Sequence, residues 1–218
     1  MSQVVVCSGG PEEDICDLTG LSEEDTVFIG ADRGTLYLLN AGILPVEAVG
    51  DFDSVTSVEY ERISHFVPVV TKVESEKDET DTELAIQRAL TLDPQHILIT
   101  GVTGGRLDHF QSALHLLYRM QMMHPKKRFT IRSKSNELAI LFPGVHRMNK
   151  EDELEYVSFF SFGGETVEGM TLTGFKYEVA NALLEIGMTR FTSNEAISEV
   201  CTISFRKGIC LMVRSSDS

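Results

Sequence analysis

Long apolar runs are missing from this 218-residue sequence: none approaches the roughly 20 residues that a membrane-spanning helix needs. Positive charge is scarce as well. Nineteen lysines and arginines stand against 33 aspartates and glutamates, giving a formal charge of -14 at pH 7, a field that repels nucleic acid and anionic membranes. The one dense basic run, Pro125 to Arg128, follows a predicted helix and reads as its solvated exit. An anionic nucleotide would therefore have to be held by local cations, backbone amides or metal. Cys7, Cys16, Cys201 and Cys210 make no CxxC pair, which argues against a zinc site or a disulfide framework. The sequence also starts without a basic and apolar leader, so a cytoplasmic location is expected. With only six prolines, 42% hydrophobic and 24% charged residues, wholesale disorder is excluded.

What is present is a β/α rhythm. "QVVVCSGG", "TVFIGADRG", "VEAVG", "HFVPVV" and "HILIT" supply short apolar runs, and amphipathic segments separate them. "GTLYLLNAG" reads as a helix closed by Gly42, and "SVEYERIS" as a brief one. In "TDTE", Thr80 and Glu83 have the spacing of a capping box, which puts Asp81 in the first turn of a helix. Leu107, Phe110, Leu114, Leu117 and Tyr118 make the stripe of another. Beyond about Arg128 the pattern changes to short alternating runs broken by Gly, Asn and Pro, with "EVANALLEIGM" as a short helix between strands and "HRMNKEDE" as a surface loop. The expected fold is α/β plus all-β. Residues 1–130 form a Rossmann-like, open and mostly parallel sheet with helices, and residues 131–218 an antiparallel β-sandwich or barrel-like domain.

Compact polar clusters follow four of the early apolar runs: "SGG", "ADRG", "GDFDS" and "TGVTGG". In an open α/β sheet these ends converge on one edge, where ligands bind. Asp51 and Asp53 would point the same way if Phe52 were extended, and two such carboxylates can hold Mg²⁺ with phosphate oxygens. Taken alone, the pentapeptide reads more readily as a polar turn. Asp78 and Asp81 flank a helix start beside Lys77, a capping arrangement that also suits acid, metal and cation around phosphate. In "GVTGGRLDH", Gly101, Gly104 and Gly105 permit close backbone approach, Arg106 can fork onto phosphate, and Asp108 is a further candidate ligand or base. A plain turn with a local Arg106–Asp108 ion pair is the alternative. His109 is read as structural, and Asp32 and Arg33 as a turn or ion pair unless they meet substrate.

The ordered set "ADRG", "PVEAVGDFDS", "KDETDTELA", "GVTGGRLDH", "GFKY" and "TSNE" resembles the thiamine pyrophosphokinase family across nearly the whole chain. That resemblance implies transfer of diphosphate from ATP to the hydroxyethyl oxygen of thiamine, with Mg²⁺ as cofactor, in a homodimer whose interface holds thiamine. It implies that Asp51, Asp53, Asp78, Asp81 and Asp108 form the acidic catalytic and metal-binding region, with Asp81 or Asp108 as the choice for a proton acceptor. It further implies that Asp32, Lys77, Thr103, Gly105, Arg106 and Asn136 contact ATP or its phosphates, and that Ser193 and Asn194 contact the thiamine pyrimidine. Two positions depart from the usual family wording: Glu47, where aspartate is common, and Glu178, where proline is common. The first is expected to alter a peripheral contact and the second to loosen a strand end. A nonenzymatic thiamine or nucleotide sensor, or another Mg-dependent nucleotide transferase, could use a similar pocket. A sensor would be favoured by missing acids, and the acids are present.

Overall fold

The computed structural model describes residues 2–22, 25–74, 76 and 78–217, and the chain divides into two compact units, Met1–Lys134 and Ser135–Ser218. The first contains β1 (Gln3–Cys7), β2 (Thr26–Ala31), α1 (Gly34–Asn40), β3 (Glu47–Gly50), α2 (Ser57–Phe66), β4 (Val69–Lys72), α3 (Asp81–Thr91), β5 (His96–Thr100), α4 (Leu107–Met123) and β6 (Arg128–Arg132). Its strands are parallel and ordered β6-β5-β1-β2-β3-β4. Val4, Val5 and Val6 have no exposed surface, as expected of a central parallel strand covered on both faces. The order of succession reverses at β1, with β2 on one side and β5 on the other. At such a switch point the loops part and leave a crevice. The division falls after Lys134 rather than after residue 130, because β6 pairs with β5 from His96↔Arg128 to Ile99↔Ile131 and completes the parallel sheet.

Local chemistry fixes where the helices start. Thr56 and Glu59 form a complete capping box at α2. At α3 only half of the expected box forms: the Glu83 amide donates to Thr80 Oγ1 at 3.2 Å, while the Glu83 carboxylate accepts from Arg119 and Gln87. Glu47 makes a central contact, not a peripheral one. Buried in β3, it accepts from Arg88 Nε at 2.8 and 3.0 Å and from Thr71 Oγ1 at 2.8 Å, tying α3 to the sheet. On α4 the buried stripe is Ala113, Leu114, Leu116, Leu117 and Met120, whereas Leu107 is exposed at the helix start.

The second unit contains β7 (Asn136–Leu141), β8 (Gly144–Asn149), β9 (Tyr156–Phe162), β10 (Val167–Thr173), β11 (Val179–Leu184), β12 (Asn194–Glu195), β13 (Val200–Phe205) and β14 (Ile209–Ser215). They form two antiparallel layers, β12-β9-β14-β7 and β11-β10-β13-β8. Phe159 and Met212 from one layer share a core with Met170, Leu172, Ile203 and Phe205 from the other. Each such side chain stabilises the fold by about 1.5–3 kcal/mol on burial. "EVANALLEIGM" is not a helix. It forms β11, paired with β10 across a register shift, and Asn181 takes a left-handed φ of 53° there, so strand pairing overrides the helix-forming alanines and leucines. "HRMN" likewise belongs to β8, where it pairs with β13, and only the residues after it are loop. Glu178 does not loosen its strand end: its carboxylate accepts from the Gly174 amide at 2.7 Å, a bond that proline could not make. Among the described residues no helix is long and apolar enough to cross a membrane.

His96 bridges three strands of the first sheet, with Nδ1 3.0 Å from Gln3 Oε1 and Nε2 2.8 Å from Thr130 Oγ1. Burial, and secondarily Arg128, pushes its pKa down to about 4. Between that value and the ~6.5 of a free imidazole the unfolded chain binds the extra proton, so the His96 contribution is present above about 6.5 and lost as pH falls towards 4. Urea unfolding at pH 7 and pH 4.5 is expected to show a smaller loss of stability in His96→Gln than in the unsubstituted protein, by up to about 3 kcal/mol. Equal losses in the two proteins would remove His96 as the cause.

Candidate active site

A cavity of about 870 Å³ opens at the carboxyl ends of β1, β2, β3 and β5. Its floor is backbone. The Gly10 amide donates to the Gly101 carbonyl at 2.8 Å, and a Cβ on Gly101 would run into the Ser8 carbonyl. The "SGG" and "GVTGG" loops thus touch without side chains between them, leaving amides and small groups facing the crevice. Ser8 Oγ and Thr82 Oγ1, 2.8 Å apart, join the floor to α3.

Oxygen ligand atoms of Asp32, Asp51 and Asp81 all lie within 4.8 Å of one another in this cavity. Each arrives from a different element. Asp32 ends β2 with a left-handed φ of 47°, and its Oδ1 accepts from the Phe52 amide at 3.0 Å. Phe52 is also left-handed, at φ 59°, so Asp51 and Asp53 do not project together as an extended strand would make them. The Phe52 ring is buried instead, edge-on to Tyr60 at 5.2 Å, and anchors the loop, with Asp51 half-buried and Asp53 exposed, both lining the cavity. A Cβ at Gly50 would collide with the Asp32 carboxylate, which is why glycine precedes this turn. Asp81 is placed by the first turn of α3. Burial is the main cause that raises the Asp32 pKa to about 7, with the charges of Asp81 and Asp51 adding to it. Three half-buried carboxylates with oxygen donors only are the ligand set of a hard divalent cation, and the residues fit such an ion.

The other expected site residues lie around this trio or elsewhere. Asp53 and Asp78 are exposed, the first with its amide donating to Asp51 Oδ1 at 3.0 Å. Asp108 is exposed and bound bidentately by Arg106, at 3.1 and 2.6 Å. That bond, helped by the His109 amide, holds its carboxyl down at about 2. Arg33 spends its guanidinium on the Ser54 carbonyl at 2.8 Å and on Glu59 at 3.5 Å, so it braces the "GDFDS" loop as an ion pair. Thr103, Gly104 and Arg106 line the cavity, and the Thr103 hydroxyl is buried there with no hydrogen-bond partner among the described residues. Gly105 follows, exposed, with φ 58°. Lys77 lies outside the described residues. Asn136 belongs to the second unit, at the start of β7, where its Nδ2 donates to Ser135 Oγ at 3.1 Å.

A second cavity, of about 460 Å³, lies within the second unit and is lined by Asn194 together with Lys176, Tyr177 and Phe191. Ser193 is exposed with φ 55°, its amide donating to Ser158 Oγ at 3.0 Å. Sequence reasoning marked "SGG", and with it Ser8, as an edge cluster but missed Thr82, Tyr37 and Leu116 as lining residues of the larger cavity. Nothing in the residue types of Tyr37 and Leu116 distinguishes them from core.

The doubly wound sheet carries at its strand ends a carboxylate trio suited to a divalent cation, beside glycine loops suited to an anion, and the chain adds an antiparallel β unit. The chain belongs to the thiamine pyrophosphokinase family. Residues 18–131 match the family model described as thiamin pyrophosphokinase, catalytic domain, and residues 145–210 match thiamin pyrophosphokinase, vitamin B1 binding domain. A thiamine pyrophosphokinase from Bacillus subtilis is 43% identical over 217 residues, covering 100% of both chains. Among solved structures, thiamine pyrophosphokinase from Bacillus subtilis superposes with a TM-score of 0.92 at 42% identity, covering 100% of each chain. Thiamin pyrophosphokinase from Geobacillus thermodenitrificans gives 0.89 at 38% identity, covering 100% of this chain and 99% of that one.

The raised pKa of Asp32 has a consequence for the metal-free protein. Between about 4 and about 7 the folded state binds the extra proton, so stability from this group falls as pH rises through that window. Asp32→Asn keeps an acceptor for the Phe52 amide and removes the charge. Thermal unfolding with chelator at pH 8 is expected to give a higher midpoint for Asp32→Asn than for the unsubstituted chain, and addition of a divalent cation should raise only the latter. A lower midpoint in the variant would contradict like-charge crowding at this site.

Proposed function

We infer that this protein transfers the diphosphate group of ATP to the hydroxyl of thiamine, releasing AMP and thiamine diphosphate. The observation that carries the reading is the Asp32, Asp51 and Asp81 trio beside two glycine loops at the switch point, in a chain that matches both family models. The thiamine oxygen bonds to the β-phosphorus of ATP as the bond from that phosphorus to the α,β-bridging oxygen breaks. The bridging oxygen leaves with AMP, and the hydroxyl proton is released.

In this reading Asp32, Asp51 and Asp81 hold Mg²⁺, whose charge offsets that of the diphosphate. The amides of the glycine loops and the unpartnered Thr103 hydroxyl face phosphate oxygens. Arg106 exchanges the Asp108 carboxylate for a phosphate oxygen, both being anionic partners on an exposed rim, and Lys77 supplies a second cation. Asp53 and Asp78 shape the loops and the field around the trio. Arg106 is what holds the Asp108 carboxyl down, so its departure to phosphate frees Asp108 to accept the hydroxyl proton, while Asp81 is engaged with the metal. Phosphoryl transfer in any case depends more on positioning and electrostatics than on a strong base. Gly105 and Asn136 are assigned to the ATP side, and Ser193 and Asn194 to the thiamine side, in the unit that matches the vitamin B1 binding model. The working form is a cytoplasmic homodimer with thiamine at the subunit interface.

Purified protein with ATP, Mg²⁺ and thiamine should yield thiamine diphosphate and AMP in equal amounts by mass detection. Thiamine monophosphate with ADP would instead require attack at the γ-phosphorus and overturn the assignment. Asp51→Asn and Asp81→Asn change charge with little change in volume, and each is expected to fold and to lose about a hundredfold or more in turnover. Near-normal turnover in both folded variants would remove the trio from the reaction.

A further inference from the structure

One hydrogen bond in the larger cavity leaves a donor over. Ser8 Oγ and Thr82 Oγ1 lie 2.8 Å apart, and among the described residues neither oxygen has a second hydrogen-bond partner. Two hydroxyls carry two protons, and their mutual bond uses one. Burial decides which hydroxyl keeps the other. Ser8 is 4% exposed, whereas Thr82 is half-buried, and both line the cavity. The more open Thr82 hydroxyl therefore accepts from Ser8 and turns its own proton to the cavity. Its usual local outlet is missing. A helical threonine can donate back to the carbonyl four residues earlier, but Thr82 is the second residue of α3, so that carbonyl, of Asp78, lies outside the helix.

We propose that Thr82 donates this hydrogen bond to a phosphate oxygen of the bound nucleotide, and that Ser8 is a positioning residue that acts through Thr82. Thr82 follows Asp81 of the carboxylate trio, and Ser8 precedes the glycines of the floor, so the pair stands between the acids and the loop amides that face phosphate in the reading above. An anionic oxygen is the acceptor that gains most from such a donor, because a hydrogen bond to a charged group is the stronger kind. By accepting from Ser8, the Thr82 hydroxyl is polarised and donates more strongly still. The proposal deepens the function inferred above and rests on its nucleotide site. It gives the side chain after a metal-holding aspartate its own contact with the substrate.

Calorimetric binding of ATP and of pyrophosphate, each with Mg²⁺ and without thiamine, tests this apart from turnover. Thr82→Val keeps the shape and removes the hydroxyl, and it is expected to weaken both ligands about tenfold, the loss of one hydrogen bond to a charged group. Thr82→Ser restores the donor and should bind both within about threefold of the unsubstituted chain. Ser8→Ala should weaken binding by about threefold, and the double variant Ser8→Ala with Thr82→Val should bind as Thr82→Val does. Thermal midpoints separate binding from structure. Thr82→Val strands the Ser8 hydroxyl and should lower the midpoint, whereas the double variant removes both partners and should regain midpoint without regaining affinity. Affinity that returns with the midpoint would make the pair a structural tie and overturn the donor. Unchanged affinity in Thr82→Val would overturn it as well, and a loss for ATP but not for pyrophosphate would overturn the assignment to phosphate. Multiplied losses in the double variant would overturn the positioning role of Ser8. Where Thr82→Val fails to fold, Thr82→Ala takes its place in each comparison. Absence of thiamine diphosphate from an unsubstituted protein that binds ATP would be a failure of the inferred transfer, and the calorimetry still decides Thr82.

Discussion

Carboxylates crowded together repel, and the first unit is organised around holding Asp32, Asp51 and Asp81 within 4.8 Å despite that repulsion. Each acid is fixed by a neighbour with a purely structural task. The buried Phe52 ring anchors one loop, Gly50 leaves room for the Asp32 carboxylate, and Thr80 caps the helix that carries Asp81. The braces extend further out: Glu47 binds Arg88, and Glu83 binds Arg119, so α3 is tied both to the sheet and to α4. Without such ties the charges would relax apart into solvent.

The whole-chain field sharpens what the site must do. A formal charge of -14 repels an anionic nucleotide, and the trio adds to that repulsion at the point where phosphate is to bind. Rim cations do not simply cancel it, because Arg106 is already engaged with Asp108 and Arg33 with Ser54 and Glu59. Under the inferred function the acids are an asset only when they hold a divalent cation between themselves and phosphate. Glycine loops supply the neutral donors that complete such a cradle at no cost in charge.

Much of this was legible in the sequence, for identifiable reasons. Val4 to Val6 and the other apolar runs mark buried parallel strands, and polar clusters after them mark the edge where ligands gather. Asp51 and Asp81, expected at that edge, do lie together there. What escaped is what depends on tertiary pairing or on backbone sign. The β11 segment has helix-forming residues, yet pairing with β10 decides its state. Thr80 and Glu83 have capping-box spacing, yet Arg119, distant in sequence, draws the Glu83 carboxylate away. Asp32 could be placed at the edge from sequence, but its membership of the trio depends on φ values that no residue pattern displays.

Backbone sign also links the two units. Non-glycine residues with left-handed φ cost about 1 kcal/mol or more and persist only where the surroundings fix them. There are five among the described residues: Asp32, Phe52, Asp93, Asn181 and Ser193. Asp93 follows the end of α3 and Asn181 lies at a strand irregularity, so their conformations serve the fold. Of the other three, Asp32 lines the larger cavity, and Phe52 and Ser193 each lie between two residues that line one. Asp32 is held by the Val49 carbonyl and the Phe52 amide, Phe52 by its buried ring, and Ser193 by Ser158, one residue before the Asn194 clamp on Tyr177. In "GDFDS" this conformation seats the Phe52 ring in the core between two aspartates that both line the cavity, and in "TSNE" it precedes the buried Asn194, whose side chain holds the Tyr177 backbone.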